Sequence, residues 1–111
     1  GIAAEGQQVF VSGQIGWDAA QRIVSDEFAA QARQALANIV AVLATAGAMP
    51  EHLVRLTWFV TSRDEYNAAL REIGAAYREL IGRHYPAMSV VVVAGLLEPR
   101  AKVEIEATAV I

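Results

Sequence analysis

The chain has 111 residues, 55% hydrophobic and 19% charged, which is one domain's worth of sequence able to bury about two-thirds of its unfolded surface. A net charge of −3 argues against non-specific nucleic-acid binding, which needs a basic surface, and no apolar run reaches the roughly 18–20 residues of a membrane span. Cysteine is absent, which removes disulfides, thiol nucleophiles and sulfur-ligated metals and fits a reducing, cytoplasmic setting.

The start at Gly1 lacks a Met and lacks a charged segment followed by an apolar core, so a processed or truncated end is expected rather than a signal peptide. Gln8–Ser12 is rich in β-branched and aromatic residues and predicts a strand closed by Gly13. Gly16-Trp17-Asp18 through Gln21 is turn-rich and precedes a short apolar pair, Ile23-Val24. Asp26 predicts the N-cap of a long helix, with Glu27 in the first turn where the helix dipole favours an acid. Phe28, Ala32, Leu36, Ile39, Val40 and Leu43 then form one apolar stripe at spacings of three and four. Gly47 marks the stop, with Pro50 just beyond.

Leu53–Thr61 alternates, Val54, Leu56, Trp58 and Val60 on one side and Arg55, Thr57, Phe59 and Thr61 on the other, as a strand with one face on a core does. Ser62-Arg63-Asp64-Glu65 matches a capping box. The helix after it carries Tyr66, Leu70, Ile73, Tyr77, Leu80 and Ile81 on one stripe and ends at Gly82. Val90–Val93 is apolar on both sides of a strand, so both faces need covering. After a turn around Gly95 to Arg100, the last segment sets Lys102, Glu104, Glu106 and Thr108 against Val103, Ile105, Ala107 and Ala109.

Two helices with single apolar stripes suit one face of a sheet, which predicts a two-layer α+β domain. The other face carries valines beside Glu104 and Glu106 and is expected to meet further subunits. His52 and His84 lie far apart without metal-ligand spacing, so no metal is expected, and His84 reads as a surface or interface residue. Ser12-Gly13-Gln14 is not a nucleophile elbow; Gly13 either bends the strand or lets a ligand reach main-chain N–H groups. Glu104 and Glu106 read as a solvated pair, or, if their face is an interface, as a partly desolvated carboxylate able to position or deprotonate water.

These residues also resemble a family. Phe10-Val11-Ser12-Gly13-Gln14-Ile15 is similar to the Val-Ser-Gly-Gln-Ile segment of RidA/YjgF-type proteins, the enamine/imine deaminases once called L-PSP endoribonucleases. Ala30 to Ile39 resembles that family's Gln-x-x-x-x-Leu-x-Asn helix, Val54 to Val60 its central strand, and Tyr85-Pro86-Ala87 with Val103 to Ala107 its closing motif. The resemblance spans residues 1–111 as one domain and implies a chorismate-mutase-like fold. In that fold a mixed sheet carries two helices on one face, and a homotrimer packs its sheets inward with small-molecule clefts between neighbours.

The family's chemistry hydrolyses 2-imino acids, made by pyridoxal-phosphate enzymes, to 2-keto acids and ammonia, with no cofactor of its own. The resemblance assigns the substrate carboxylate to an arginine directly after Pro-Ala, a bidentate task suited to guanidinium; here that position is Met88. The position two further on, often Cys in the deaminases, is Val90; a cleft Asn falls on Gly74, and a cleft Tyr would lie before Gly1. What remains of the family site is the Ser12-Gly13-Gln14 backbone and Glu104, which matches the water-positioning acid. A thioether supplies no charge-assisted bond, a loss of about 1.5–3 kcal/mol. Met88 and Val90, with Trp17 and Trp58 as aromatic walls, make the cleft apolar, which suits either a neutral or less polar ligand or a degenerate cleft filled by its own side chains. Three functions follow in order: a RidA-like hydrolase of altered substrate range, a non-catalytic trimer binding a small molecule, and, last, an RNA-cleaving protein.

Overall fold

The computed structural model describes residues 1–111. Four strands, β1 (Gln8–Ile15), β2 (Leu53–Val60), β3 (Ala87–Val92) and β4 (Val103–Val110), form one sheet in the order β1-β4-β2-β3. β4 is antiparallel to both β1 and β2, while β2 and β3 run parallel, so the sheet is mixed. A parallel pair needs a long crossover, and the helices α2 (Arg63–Ala68) and α3 (Leu70–Leu80) supply it. Helix α1 (Phe28–Thr45) packs on β1 and β4 and beside α3, which gives the expected α+β arrangement in two layers.

The core follows the periodicities. Leu36, Ile39 and Leu43 of α1 are fully buried with Leu53, Leu56, Val103 and Ile105 of the sheet, each such side chain contributing about 1.5–3 kcal/mol by leaving water. In β4, Val103, Ile105, Ala107 and Ala109 are buried, as the alternation predicts. Helix α1 ends in a Schellman motif: Gly47 takes φ 76°, its N–H donates to the Ala44 carbonyl, and the Ala48 N–H reaches back to Leu43.

Several local expectations are corrected. β1 does not close at Gly13 but runs on to Ile15 through a bulge between Val11 and Gln14. In the short apolar pair, Ile23 makes a single bridge to Trp17. The α1 N-cap position is Glu27, without a side-chain cap bond, because the Asp26 carboxylate is drawn off to Arg100 at 2.9 Å. Half of the capping box forms: the Ser62 hydroxyl accepts from the Glu65 N–H at 3.1 Å, but the Glu65 carboxylate goes to Lys102 Nζ at 2.7 Å. The second helix is interrupted at Ala69, whose N–H is shared by the Glu65 and Tyr66 carbonyls, and Leu70 of its stripe is 49% exposed. His84 is half-buried and tied to the backbone, with Nε2 at 2.6 Å from the Leu53 carbonyl. A carbonyl can only accept, so that nitrogen carries the proton.

The far side of the sheet is open. Phe10 is 72% exposed there, and the cross-strand register aligns Arg55 with Thr108, Thr57 with Glu106 and Phe59 with Glu104. β3 is an edge strand on which Met88, Val90, Val91 and Val92 are all partly exposed. The valine run therefore leaves apolar surface uncovered, as its pattern predicts.

Candidate functional site

The residues singled out from the sequence fall into three concavities. The first, about 260 Å³, is lined by Gly13, Ile15, Trp17, Leu97, Glu98 and Glu104. β4 delivers Glu104 to it, and the β1 bulge brings Gly13 beneath the carboxylate. A β-carbon on residue 13 would stand 2.6 Å from Glu104 Oε2 and 2.7 Å from Cδ. The glycine thus leaves the room in which the carboxylate lies, a close approach that any other residue would forbid. Glu104 is half-buried and belongs to none of the chain's ion pairs, whereas Glu106 is exposed. Of the two glutamates on this strand, the one beside Gly13 is the less exposed.

The walls of this groove are held from α1 by amides. Asn38 Nδ2 donates to the Trp17 and Ile15 carbonyls at 2.9 and 3.2 Å, and Gln34 Nε2 donates to Asn38 Oδ1 at 2.9 Å. Gln31, with no exposed surface, donates to the Ser25 and Arg100 carbonyls at 2.8 and 3.1 Å and accepts from the Lys102 N–H at 2.8 Å. One helix therefore pins both the turn that carries Trp17 and the segment that leads into Glu104. A β-carbon at Gly16 would come within 2.6 Å of the Gln31 Cα, so the turn sits directly on the helix.

The second concavity, about 200 Å³, is lined by Trp58, Tyr66, Leu70, Gly74, Arg78, Tyr85 and Met88 among others. Its walls are braced by aromatic contacts, Trp58 against Tyr66 edge-on with centroids 6.4 Å apart and Tyr77 stacked on Tyr85 at 5.6 Å. Trp58 is 2% exposed and mostly a core residue, with its indole N–H buried and unpartnered. The Tyr77 hydroxyl donates to the His84 carbonyl at 2.6 Å, and burial, with the neighbouring Tyr85, pushes its pKa up to about 12. Folding thus favours the neutral phenol. The stability this lends is complete below about pH 10 and is lost as pH rises to about 12. Tyr77→Phe is expected to flatten that alkaline decline in melting curves, and to cost about 1 kcal/mol at neutral pH through the lost hydrogen bond.

The third concavity, about 280 Å³ on the open sheet face, includes Phe10, Ser12, Arg55, Thr57, Glu106 and Thr108. Within one chain, then, the fold unites Gly13, Trp17 and Glu104, and separately Trp58 and Met88. Ser12 faces a different hollow, Gln14 hydrogen-bonds back to the Ser12 carbonyl at 3.1 Å, and Val90 stands half-exposed on the edge strand. Sequence reasoning passed over Leu97 and Glu98 beside Glu104, and Arg78 beside Met88. For Arg78 a signal exists: it lies four residues after Gly74, hence on the same helix face.

Comparison with known proteins agrees with this architecture. A family profile described as Endoribonuclease L-PSP matches residues 2–111. The 2-iminobutanoate/2-iminopropanoate deaminase of Salmonella typhimurium is 36% identical over 108 residues, covering 95% of this chain and 80% of that protein. Protein DfrA of Myxococcus xanthus is 38% identical over 111 residues, covering 95% of this chain and 77% of its own length. Among solved structures, the Rid-family protein YyfB of Yersinia pestis superposes with a TM-score of 0.82 at 37% identity, over 96% of this chain and 80% of that one. Matched in sequence and fold over nearly its whole length, the chain belongs to the endoribonuclease L-PSP family, the RidA/YjgF proteins.

Proposed function

We propose that this protein hydrolyses enamines or imines to a carbonyl compound and ammonia, with Glu104 as the residue that positions and deprotonates the attacking water. The observation that carries the reading is the unpaired, half-buried Glu104 carboxylate seated over Gly13 in a groove walled by Trp17. A carboxylate there can take a proton as water adds to the imine carbon, then return it to the nitrogen as the C–N bond of the carbinolamine breaks. Relatives named as 2-iminobutanoate/2-iminopropanoate deaminases support the reaction class.

The working unit in this reading is a homotrimer with a chorismate-mutase-like fold, its open sheet faces turned inward. Exposed Phe10 on one edge strand and the half-exposed valines of β3 on the other support such burial, since large apolar side chains left open on a small domain suit a contact site. The cleft then combines the Glu104 groove of one subunit with the Met88 and Val90 edge of its neighbour, while Ser12, Gly13 and Gln14 supply backbone groups. With Met88 in place of the arginine that the resemblance assigns to substrate binding, the substrate range differs from that of the standard deaminases.

The test is ammonia release from freshly generated 2-aminoacrylate and from a panel of imines. Acceleration over the spontaneous rate is the expected result, and its absence with every compound would end the hydrolase reading. A non-catalytic trimer that binds a small ligand is the second reading, favoured by the apolar groove at Met88; it predicts ligand-dependent thermal stabilisation without turnover. RNA cleavage, which the family description names, ranks last because the net charge is −3 and both histidines are engaged with the backbone.

A further inference from the structure

We infer that Arg78 is the anion-binding residue of the groove beside Met88, and that this groove takes a small carboxylate bearing an apolar or aromatic group. The inference rests on reading the cleft as a small-molecule site, and it names the ligand class where the sequence alone leaves open a neutral ligand or a cleft filled by its own side chains. Four observations meet here. The groove is walled by Trp58, Tyr66, Tyr85 and Met88, surfaces suited to an apolar body. Arg78 is the one charged residue lining it, and it has no carboxylate partner: the ion pairs of the chain join Arg33 to Glu79, Arg100 to Asp26 and Lys102 to Glu65.

The guanidinium also lies over a lining residue of the groove, Gly74. Its Nη1 lies 3.3 Å from the point where a β-carbon on Gly74 would stand, so the side chain is laid back across the helix over a residue with no side chain. Finally, Trp58, one of the lining residues, keeps its indole N–H buried without an acceptor, a rare condition for a buried donor. A solvated arginine needs none of these features. A guanidinium at a groove lined by aromatic side chains, one of them carrying an orphaned donor, suits an acceptor-bearing anion with an apolar tail, and the planar fork suits a carboxylate. Arg78 would then do from α3 what Met88, on β3, has no charge to do.

Phenylacetate and its neutral isostere phenylacetamide provide the test, titrated calorimetrically into the intact protein. Wild type is expected to bind the anion at least about ten-fold more tightly than the amide, the worth of one charge-assisted contact. Arg78→Gln should abolish that preference while leaving the melting temperature unchanged, since Arg78 is exposed and unpaired. Arg71→Gln, on the same helix outside the groove, should keep it. With two tryptophans in the chain, indole N–H resonances report location: phenylacetate should shift Trp58, whatever it does to Trp17. No preference in wild type, a preference retained in Arg78→Gln, or a shift confined to Trp17 would each overturn the inference. Binding of this kind without ammonia release would defeat the hydrolase reading and leave this one standing. Turnover of 2-imino acids with the same KM in Arg78→Gln as in wild type would do the reverse.

Discussion

Glu104→Gln is expected to lower imine hydrolysis by about 10²–10⁴-fold, the usual contribution of a positioned general base. The amide keeps the length and shape of the side chain above Gly13 but cannot take a proton from water. Because Glu104 belongs to no ion pair, the melting temperature should change little, and the loss should fall on kcat rather than KM. Glu106→Gln, on an exposed residue two positions along the same strand, is the matched control and should retain most of the activity. A Glu104→Gln protein with undiminished turnover would place the base elsewhere. Gly13→Ala is a second route to the same end, since its β-carbon would occupy space 2.6 Å from Oε2 and displace the carboxylate without altering its chemistry.

Gln31→Leu is expected to destabilise the fold by about 2–4 kcal/mol, a large share of a typical domain stability of about 5–15 kcal/mol. Leucine fills nearly the same volume, so the cost is not a cavity. It comes from three backbone groups, the Ser25 and Arg100 carbonyls and the Lys102 N–H, which lose their partner in a place water does not reach. Urea denaturation measures this directly. The same substitution should also impair hydrolysis in protein that remains folded, because the released segment carries Leu97 and Glu98 past Glu104. A cost below about 1 kcal/mol would mean that the segment reorganises to satisfy its own backbone.

Much of this was legible residue by residue. The stripe through Leu36, Ile39 and Leu43, the strict alternation from Val103 to Ala109 and the glycine stop at Gly47 are local signals, and each element formed where its period put it. The misreadings share a cause. Asp26 and Glu65 have the right chemistry to cap helices, but Arg100 and Lys102, 74 and 37 residues away in sequence, outbid the nearby backbone for their carboxylates. Gly13 looked like the end of a strand because a bulge, unlike a stop, shows itself only against the partner strand.

The sequence by itself determined which face of each helix and strand meets the core, because side-chain direction repeats with the backbone every 3.6 or 2 residues. It also determined, through motifs spread along the whole chain, the family. Only the tertiary structure gives Glu104 and Glu106 different surroundings. Two carboxylates on one face of one strand are equivalent until the neighbouring strand, through its bulge, brings a glycine beneath one of them. The same holds for Met88 and Arg78, ten residues apart on different elements. Their meeting in one groove depends on how the α2–α3 crossover returns the chain to the sheet, a long-range outcome that no local spacing encodes.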